Sequence, residues 1–275
     1  MISVIIPFYE RIAHLRCCLD ALRNCSDDFH EVIVTDDGSR DETVSDLKDM
    51  VSQYPFPVRH VWQTRAGFRV AAARNNGIRQ AKGEYLIFLD CDLLVLEDTI
   101  KHHRRLAKPG RFVAGHCKYL TENQSAKVLQ AGVSPALLEE LYRESSDREI
   151  VTQHRRFIKR TMLMRLHLVG IRKQSLGGHF SIHRQDIEYV NGYDENFLGW
   201  GGEDEDLGIR LVKAGIYGRS GIRDARALHL WHPKELGESH WTEGPNVAYF
   251  RRQSRPFYCK NGLRKSDCDE RKGLR

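Results

Sequence analysis

The feature that most constrains the fold is a repeated alternation within residues 1–116, between short apolar runs and longer segments with helical periodicity. Apolar runs without polar alternation are typical of strands that are buried on both faces. Strands that alternate with crossover helices form a parallel sheet with helices on both sides. The sequence therefore predicts an α/β fold with a central, mostly parallel sheet flanked by helices.

The pattern changes along the chain. The predicted strands are 3–6, 31–35, 58–62, 85–89 and 112–116, and the predicted helices between them are 12–24, 41–53, 70–80 and 96–106. Residues 120–174 are helical and charged, which predicts an insertion or lid. A second strand and helix unit begins near residue 177, and from about residue 240 the chain is polar and basic, as in a tail that wraps the surface or lacks order.

Composition limits the class of protein. The chain of 275 residues is 41% hydrophobic, which is enough for a sizeable core, and it contains no apolar run long enough for a membrane span. Residues 2–6 lead directly into Pro7 and resemble a buried strand more than a signal peptide. An odd number of cysteines, seven, without framework spacing indicates reduced thiols and a cytoplasmic location.

The net charge of +6 is unevenly spread. Basic residues surround an apolar run at 162–171, and they are Arg155, Arg156, Lys159, Arg160, Arg165, Arg172 and Lys173. Two interpretations stay open: a solvated helix face that covers the core, or peripheral contact with the inner face of a membrane. Nucleic acid is not an expected partner, because no stacking aromatics are interleaved with the basic residues and no reader motif is present.

Four carboxylates follow a glycine turn that carries an aromatic residue, Gly-Trp-Gly-Gly-Glu-Asp-Glu-Asp at 199–206. An acidic first turn complements a helix dipole, which explains one or two of these carboxylates but not four. Asp206 and Arg210 are spaced to pair on one helix face, so Glu203 and Asp204 remain at the helix entrance. Glycines allow a ligand to approach the backbone, Trp200 offers a platform for a sugar, and a carboxylate beside it suits a general base.

Two further acidic groups follow predicted strands, and a pair of histidines comes later. Asp90 and Asp92 end an apolar strand, where one can bind a hard cation while the other contacts a ribose or a metal-bound water. His229 and His232 are three residues apart, and together with these aspartates they indicate a mixed Asp/His site that favours manganese over magnesium. Each histidine alone is equally explained by a structural role.

The turn after the second predicted strand, Asp36-Asp37-Gly38-Ser39, suits hydrogen bonds to a base or ribose, although ordinary turn chemistry favours the same residues. Arg74 lies among small residues at 71–77 and is able to bind a phosphate or carboxylate with two nitrogens. Pairing with a core acid is an equally good explanation of Arg74. Since ligands bind beyond the carboxyl ends of strands in open α/β sheets, we expect Asp36, Asp37, Asp90 and Asp92 to converge there.

Taken together and in this order, these residues resemble a family 2 glycosyltransferase with the GT-A fold. The resemblance covers most of residues 1–116, through segments 4–9, 36–39 and 73–77 and through Asp90-Cys91-Asp92 as the Asp-x-Asp motif. The second half is similar to the C-terminal region of β-1,4-galactosyltransferases, polypeptide N-acetylgalactosaminyltransferases and chondroitin-type polymerases. That similarity rests on Gly177-Gly178, Asn191-Gly192-Tyr193 and residues 199–204.

The resemblance implies a role for each matching position. Asp204 is implied as the catalytic base and Glu203 as its acceptor-orienting neighbour. The implied ligands of Mn²⁺ or Mg²⁺ are Asp92, His232 and His229, although the galactosyltransferases have a methionine at the position of His229, so the metal preference stays open. The implied nucleotide-sugar contacts are Pro7, Phe8, Tyr9, Asp36, Asp37, Arg74, Asp90, Cys91, Asp92, Trp200 and Gly201. The implied acceptor contacts are Trp200, Glu203 and His179, of which His179 is equally suited to a structural hydrogen bond.

The expected organisation is a single GT-A domain over 1–275. It comprises a nucleotide-sugar-binding half at 1–116, the insertion at 120–174, an acceptor and catalytic half at 177–239, and the tail at 240–275. The expected activity is inverting, metal-dependent transfer of a hexose or N-acetylhexosamine from a UDP-sugar to a glycan or glycolipid hydroxyl, forming a β-linkage. The alternatives are a non-catalytic module that binds carbohydrate or divalent ions, and a nucleotidyltransferase.

Overall fold

A computed structural model describes residues 1–171, 176–233 and 243–265. The strands are β1 Ile2–Phe8, β2 Glu31–Asp36, β3 Val58–Trp62, β4 Tyr85–Leu89, β5 Leu93–Val95, β6 Arg111–Ala114, β7 Lys118–Tyr119, β8 His179–His183, β9 Tyr217–Ser220 and β10 Ala227–His229. The α-helices are α1 Ile12–Arg23, α2 Asp41–Val51, α3 Val70–Gln80, α4 Thr99–Leu106, α5 Glu122–Ala131, α6 Pro135–Glu144, α7 Arg148–Arg165, α8 Arg184–Tyr189, α9 Glu203–Lys213 and α10 Val247–Phe250.

Seven strands form the central sheet in the order β3-β2-β1-β4-β8-β6-β9. The pairs from β3 to β4 are parallel, as is the pair β6 and β9, whereas β8 runs antiparallel between β4 and β6. A smaller sheet joins β5, β10 and β7. The predicted α/β class with a mostly parallel sheet is therefore confirmed.

Helices cover both faces of the central sheet. In β1, Val4 and Ile6 belong to one apolar cluster while Ile5 belongs to the other, because successive side chains of a strand point to opposite faces. All three side chains are fully buried. Helix α3 packs so closely on the sheet that a Cβ at Gly77 would lie 2.5 Å from Ile5, so a glycine is needed at this contact.

The predicted strands and helices of 1–116 agree with the structure apart from their ends and one omission. The segment predicted as a helix from residue 96 begins at Thr99 in α4, and the three residues of β5 precede it. A three-residue strand is too short to show a periodicity, and its apolar residues merge with those of the following helix in the sequence. The omission matters because β5 pairs with β10, which carries His229.

The segment predicted as a helical insertion contains the whole of α5, α6 and α7. Part of the expected tail, residues 243–265, packs against the second half of the chain. Asn246 and Cys259 are buried there, and the side chain of Asn191 donates to the carbonyl of Cys259. No helix in the described ranges is both long and apolar enough to cross a bilayer, and the six cysteines within those ranges are buried free thiols.

The predicted pair between Asp206 and Arg210 is present and fully buried, with 2.6 Å between Nε of Arg210 and Oδ2 of Asp206. The same guanidinium donates to the carbonyl oxygens of Val190 and Gly192. We expect Asp206→Ala to lower the free energy of unfolding by about 3–5 kcal/mol, because a buried guanidinium loses its counter-charge. Urea denaturation measures this difference.

The exposed pair Arg184 and Glu188, which has the same four-residue spacing, supplies the control for that measurement. Glu188→Ala should change stability by less than about 1 kcal/mol, because exposed ion pairs are screened by water. Equal losses in the two variants would contradict a special role for the buried pair.

Candidate active site

Asp92, His229 and His232 form a cluster in which one ligand atom from each lies within 4.8 Å of the others. The distance from Nε2 of His232 to Oδ2 of Asp92 is 3.3 Å, and that from Nε2 of His229 to Oδ1 is 3.5 Å. Asp92 is buried, and the two histidines are partly exposed. The cluster is thus reached from solvent on the histidine side.

The small sheet brings these residues together. Asp92 follows β4 and directly precedes β5, whose first residue, Leu93, is paired with His229 on β10. The amide of Leu230 also donates to the carbonyl of Asp92 at 2.9 Å. Backbone pairing therefore fixes the acid beside the histidine, independently of any bound ion.

The donor set fits a divalent cation. Oδ1 of Asp92 is buried and has no hydrogen-bond partner within the described chain. Burial by itself raises the pKa of Asp92, but the hydrogen bond with His232 and the charges of His229 and Arg11 outweigh it, so the pKa lies below its usual range. An ionised carboxylate with two imidazoles offers the mixed oxygen and nitrogen ligands that manganese accepts.

Asp204 lies at the start of α9 and contacts a buried arginine. Nη1 of Arg74 is 3.0 Å from Oδ1 of Asp204 and 3.6 Å from Glu203, and Nη2 is 3.0 Å from Oδ1 of Asp90. The hydroxyl of Tyr193 donates to Asp204 at 3.1 Å. Since Asp90 is two residues from Asp92, Arg74 connects the acids of α9 to the chain segment that bears the Asp/His cluster.

Burial has the largest effect on the pKa values of Glu203 and Asp204, the first two residues of α9. It raises the pKa of Asp204 to about 6, although Arg74 opposes the shift and Asp90 adds to it. It also raises the pKa of Glu203 to about 8, with the nearby charge of Asp204 as the next cause. Near neutral pH, Asp204 is therefore ionised and Glu203 is protonated, and Asp204 is the acid that is able to accept a proton.

Three glycines and the side chain of Asn246 determine the conformation of the turn before α9. Gly199, Gly201 and Gly202 have φ angles of +88°, +95° and +95°, which side chains rarely tolerate. Asn246 donates to the carbonyls of Gly199 and Gly201. Trp200 is 41% exposed at the tip of this turn, so an aromatic face is presented beside the acids.

Asp36 and Asp37, at the end of β2, differ in their hydrogen-bond partners. Asp36 is fully buried, and its two oxygens bind the amide of Ser39 and the ring of His60. Asp37 accepts from Gln63, from the Arg65 side chain and from the backbone of Arg69. Asp37 is also buried, and both of its oxygens are engaged by these groups, so a base or ribose contact stays a prediction for either aspartate.

Residues at the end of β1 differ in their access to a ligand. Pro7 is partly buried, and Tyr9 is 38% exposed beneath the guanidinium of Arg65. The side chain of Phe8 is in the core instead, as is that of Cys91. The predicted nucleotide-sugar contacts of Phe8 and Cys91 would therefore have to come from their backbone atoms.

One other expectation requires correction. His179 is 3% exposed and contacts Nε2 of His103 at 2.9 Å, so it is an interior residue and not an acceptor contact. Burial lowers its pKa to about 4. Arg74 pairs with carboxylates, as in the second of its two predicted roles, and its contact with the donor diphosphate stays a prediction.

The sequence patterns did not single out three side chains as site residues. Tyr193 was noted within Asn-Gly-Tyr, but its contact with Asp204 was not expected. Asn246 lies in the segment without a clear pattern, and Arg11, whose Nη1 is 3.4 Å from Oδ2 of Asp92, follows β1 without a motif. Only long-range packing places these residues.

Residues 3–174 match the family model described as Glycosyl transferase family 2. The chain belongs to this family. Residues 165–229 also match a second model, described as the N-terminal domain of galactosyltransferase. The two matches together cover the Asp-x-Asp segment, the acidic glycine turn and His229.

Curated relatives agree with this family. The chain is 34% identical over 229 residues to validoxylamine A glucosyltransferase of Streptomyces hygroscopicus subsp. jinggangensis, covering 78% of this chain and 52% of the relative. It is 29% identical over 259 residues to chondroitin synthase of Escherichia coli, covering 90% of this chain and 37% of the relative. The chain thus spans about half or less of the length of these relatives.

Solved structures show the same fold at low identity. The mannosyltransferase PcManGT from Pyrobaculum calidifontis, in complex with GDP-Man and Mn²⁺, matches with a TM-score of 0.59 at 18% identity. The match covers 87% of this chain and 59% of the PcManGT chain. GalNAc-T7 with UDP, GalNAc and Mn²⁺ matches with a TM-score of 0.58 at 16% identity. The match covers 85% of this chain and 44% of the GalNAc-T7 chain. The GT-A fold is therefore confirmed.

Proposed function

We propose that this family 2 glycosyltransferase transfers a hexose or N-acetylhexosamine from a UDP-sugar to a hydroxyl of a glycan or glycolipid, with inversion and a divalent cation. The observation that carries the proposal is the link from Asp204 through Arg74 to Asp90, two residues from Asp92. These ion pairs run from the proposed base to a residue two positions before the proposed cation ligand, which supports the assignment of both to one site.

The donor nucleotide would lie at the carboxyl edge of β1, β2 and β4, where the segments that follow these strands are adjacent. Asp37 and Pro7 would contact the uridine there, and the exposed ring of Tyr9 borders the same edge. Ligands of open α/β sheets bind at this edge. The two structural neighbours hold GDP-Man and UDP respectively, so the choice of UDP rests on the similarity of the second half to galactosyltransferases.

Asp92, His229 and His232 would hold Mn²⁺ or Mg²⁺ beside the donor diphosphate. When bound, such a cation supplies Lewis-acid stabilisation of the negative charge that develops on the leaving diphosphate. This role is supported by the pairing of β5 with β10, which sets Asp92 beside His229, by the unpartnered and buried Oδ1 of Asp92 within the described chain, and by Mn²⁺ in both structural neighbours.

Asp204 would accept the proton of the acceptor hydroxyl while its oxygen attacks the anomeric carbon from the face opposite to the leaving diphosphate. One base is sufficient for this single displacement, which converts an α-linked donor to a β-linked product. Protonated Glu203 can donate a hydrogen bond to the acceptor, and the ring of Trp200 can stack on a sugar. Arg74 and Tyr193 hold the carboxylate of Asp204 in place.

A panel of UDP-sugars with Mn²⁺ and simple sugar acceptors tests this proposal. The expected result is UDP release that requires donor, acceptor and metal together. Release of pyrophosphate would instead identify a nucleotidyltransferase. Sugar binding without nucleotide, and without turnover, would identify a non-catalytic module.

The raised pKa of Asp204 predicts the acid limb of the pH profile. Because a base must be deprotonated, kcat/KM should fall about tenfold per unit as the pH drops below about 6. Steady-state kinetics across this range measure the limb. Loss of a metal ligand in acid would also lower activity, but more Mn²⁺ would offset that loss, so an acid limb that moves with metal concentration would contradict its assignment to Asp204.

A further inference from the structure

The solvent-facing side of α7 and the segment after it carries an unusual run of exposed apolar side chains. Their exposures lie between 45% and 67%, and they are Ile158, Met162, Leu166, Leu168 and Ile171. We call this set the apolar stripe. A surface helix normally presents polar residues to solvent, and single exposed apolar residues need no explanation, but five within 14 positions form a patch.

The residues of the apolar stripe are additional to those that α7 packs against the core. Helix α7 already buries another face, with Ile150, Thr161 and Met164 buried and with Phe157 packed on Phe112. Residues 158, 162 and 166 are four apart and therefore share one face of the helix. The helix thus has an inward apolar face and a second apolar face that points away from the molecule.

Exposed basic side chains border the apolar stripe. They are Arg155, Arg156, Lys159 and Arg165, and we call them the basic flank. Arg155 is three residues before Ile158, and Lys159 is three residues before Met162, so these pairs are neighbours on the helix surface. Residues 150–171 contain five basic and no acidic residues, compared with a net charge of +6 for the whole chain.

Apolar side chains that project from a helix and lie beside cations complement an anionic bilayer, in which acyl chains lie below negatively charged headgroups. We propose that the apolar stripe and the basic flank form a surface that binds anionic phospholipid bilayers peripherally. The apolar side chains would insert at the boundary between headgroups and acyl chains, while the arginines and the lysine contact lipid phosphates. This property is separate from the proposed transfer reaction, since the surface includes none of the residues assigned to it.

Vesicle co-sedimentation without donor or metal tests the surface. The wild-type protein should bind phosphatidylcholine vesicles that contain about 30% phosphatidylglycerol at least tenfold more tightly than pure phosphatidylcholine vesicles, and high salt should weaken the binding. The triple variants Ile158→Ser/Met162→Ser/Leu166→Ser and Arg155→Gln/Arg156→Gln/Lys159→Gln should each lose about tenfold or more in affinity.

Matched controls change the same residue types elsewhere on the surface. Leu129→Ser/Tyr189→Ser removes exposed apolar side chains, and Lys82→Gln/Lys108→Gln/Arg143→Gln removes three exposed charges. Both controls should bind vesicles within about twofold of the wild type, because generic charge supplies little without the insertion of apolar groups. Thermal unfolding shows whether each variant is folded.

Three results would overturn the proposal: equal binding to neutral and anionic vesicles, equal losses in the control variants, or no vesicle binding at all. If sedimentation equilibrium instead showed a dimer that the serine triple variant dissociates, the apolar stripe would be an interface between two copies. Because UDP release from soluble substrates is measured without lipid, failure of the transfer reaction and failure of this surface are separate outcomes.

Discussion

Replacement of Asp204 by asparagine is expected to slow sugar transfer by about 10²–10⁴-fold and to leave donor binding nearly unchanged. Asparagine keeps an oxygen that can accept from Arg74 and Tyr193, the two groups that contact Oδ1 of Asp204. It cannot accept the proton of the acceptor hydroxyl. The measurements are kcat from UDP release and donor affinity from titration calorimetry with Mn²⁺.

Glu203→Gln is the matched control, because the two acids are adjacent at the start of α9. Burial keeps Glu203 protonated near neutral pH, and glutamine resembles a neutral carboxylic acid in shape and hydrogen bonding. We therefore expect its loss in kcat to be at least about tenfold smaller than that of Asp204→Asn. The reverse order of effects, or near-normal turnover of Asp204→Asn, would remove Asp204 as the base.

The sheet of the first half was predictable because most of its strands are short apolar runs that alternate with helical segments. Burial on both faces leaves little choice of residue in β1, β2 and β4, so the pattern is strong. The sequence did not show which strands are neighbours in the second half. The antiparallel insertion of β8 between β4 and β6 buries His179 opposite Leu89, and this is why a histidine after paired glycines was mistaken for a ligand contact.

The site was predictable where a single short segment holds its residues together, as in Glu203 and Asp204 or Asp90 and Asp92. Contacts between residues of different segments were not predictable. Arg74 has the same sequence context whether it binds a phosphate or a carboxylate, and the sequence did not show that its guanidinium lies against Asp90 and Asp204. The pairing of Asp206 with Arg210 was predictable because both lie on one helix, four residues apart.

Replacement of Asp92 by alanine is expected to lower kcat/KM by about 10³-fold or more. A divalent cation at the leaving diphosphate stabilises the transition state by several kcal/mol, and each 1.4 kcal/mol corresponds to a factor of ten. Among the described residues, Asp92 is the carboxylate that contacts both His229 and His232, so its loss removes the anionic member of the cluster. UDP titration with and without Mn²⁺ should show metal-dependent affinity in the wild type and none in the variant.

A second measurement for Asp92→Ala does not depend on turnover. A ligand present at 100 times its dissociation constant stabilises the folded state by about 2.7 kcal/mol, so Mn²⁺ should raise the Tm of the wild type and leave that of Asp92→Ala unchanged. Asp98→Ala, which removes a half-exposed acid from the same region of the chain, should keep the full response to Mn²⁺. If Mn²⁺ stabilises Asp92→Ala and the wild type equally, the cation binds elsewhere. The cluster of one aspartate and two histidines would then be a structural ion pair, and the activation of the leaving diphosphate would have to come from another group.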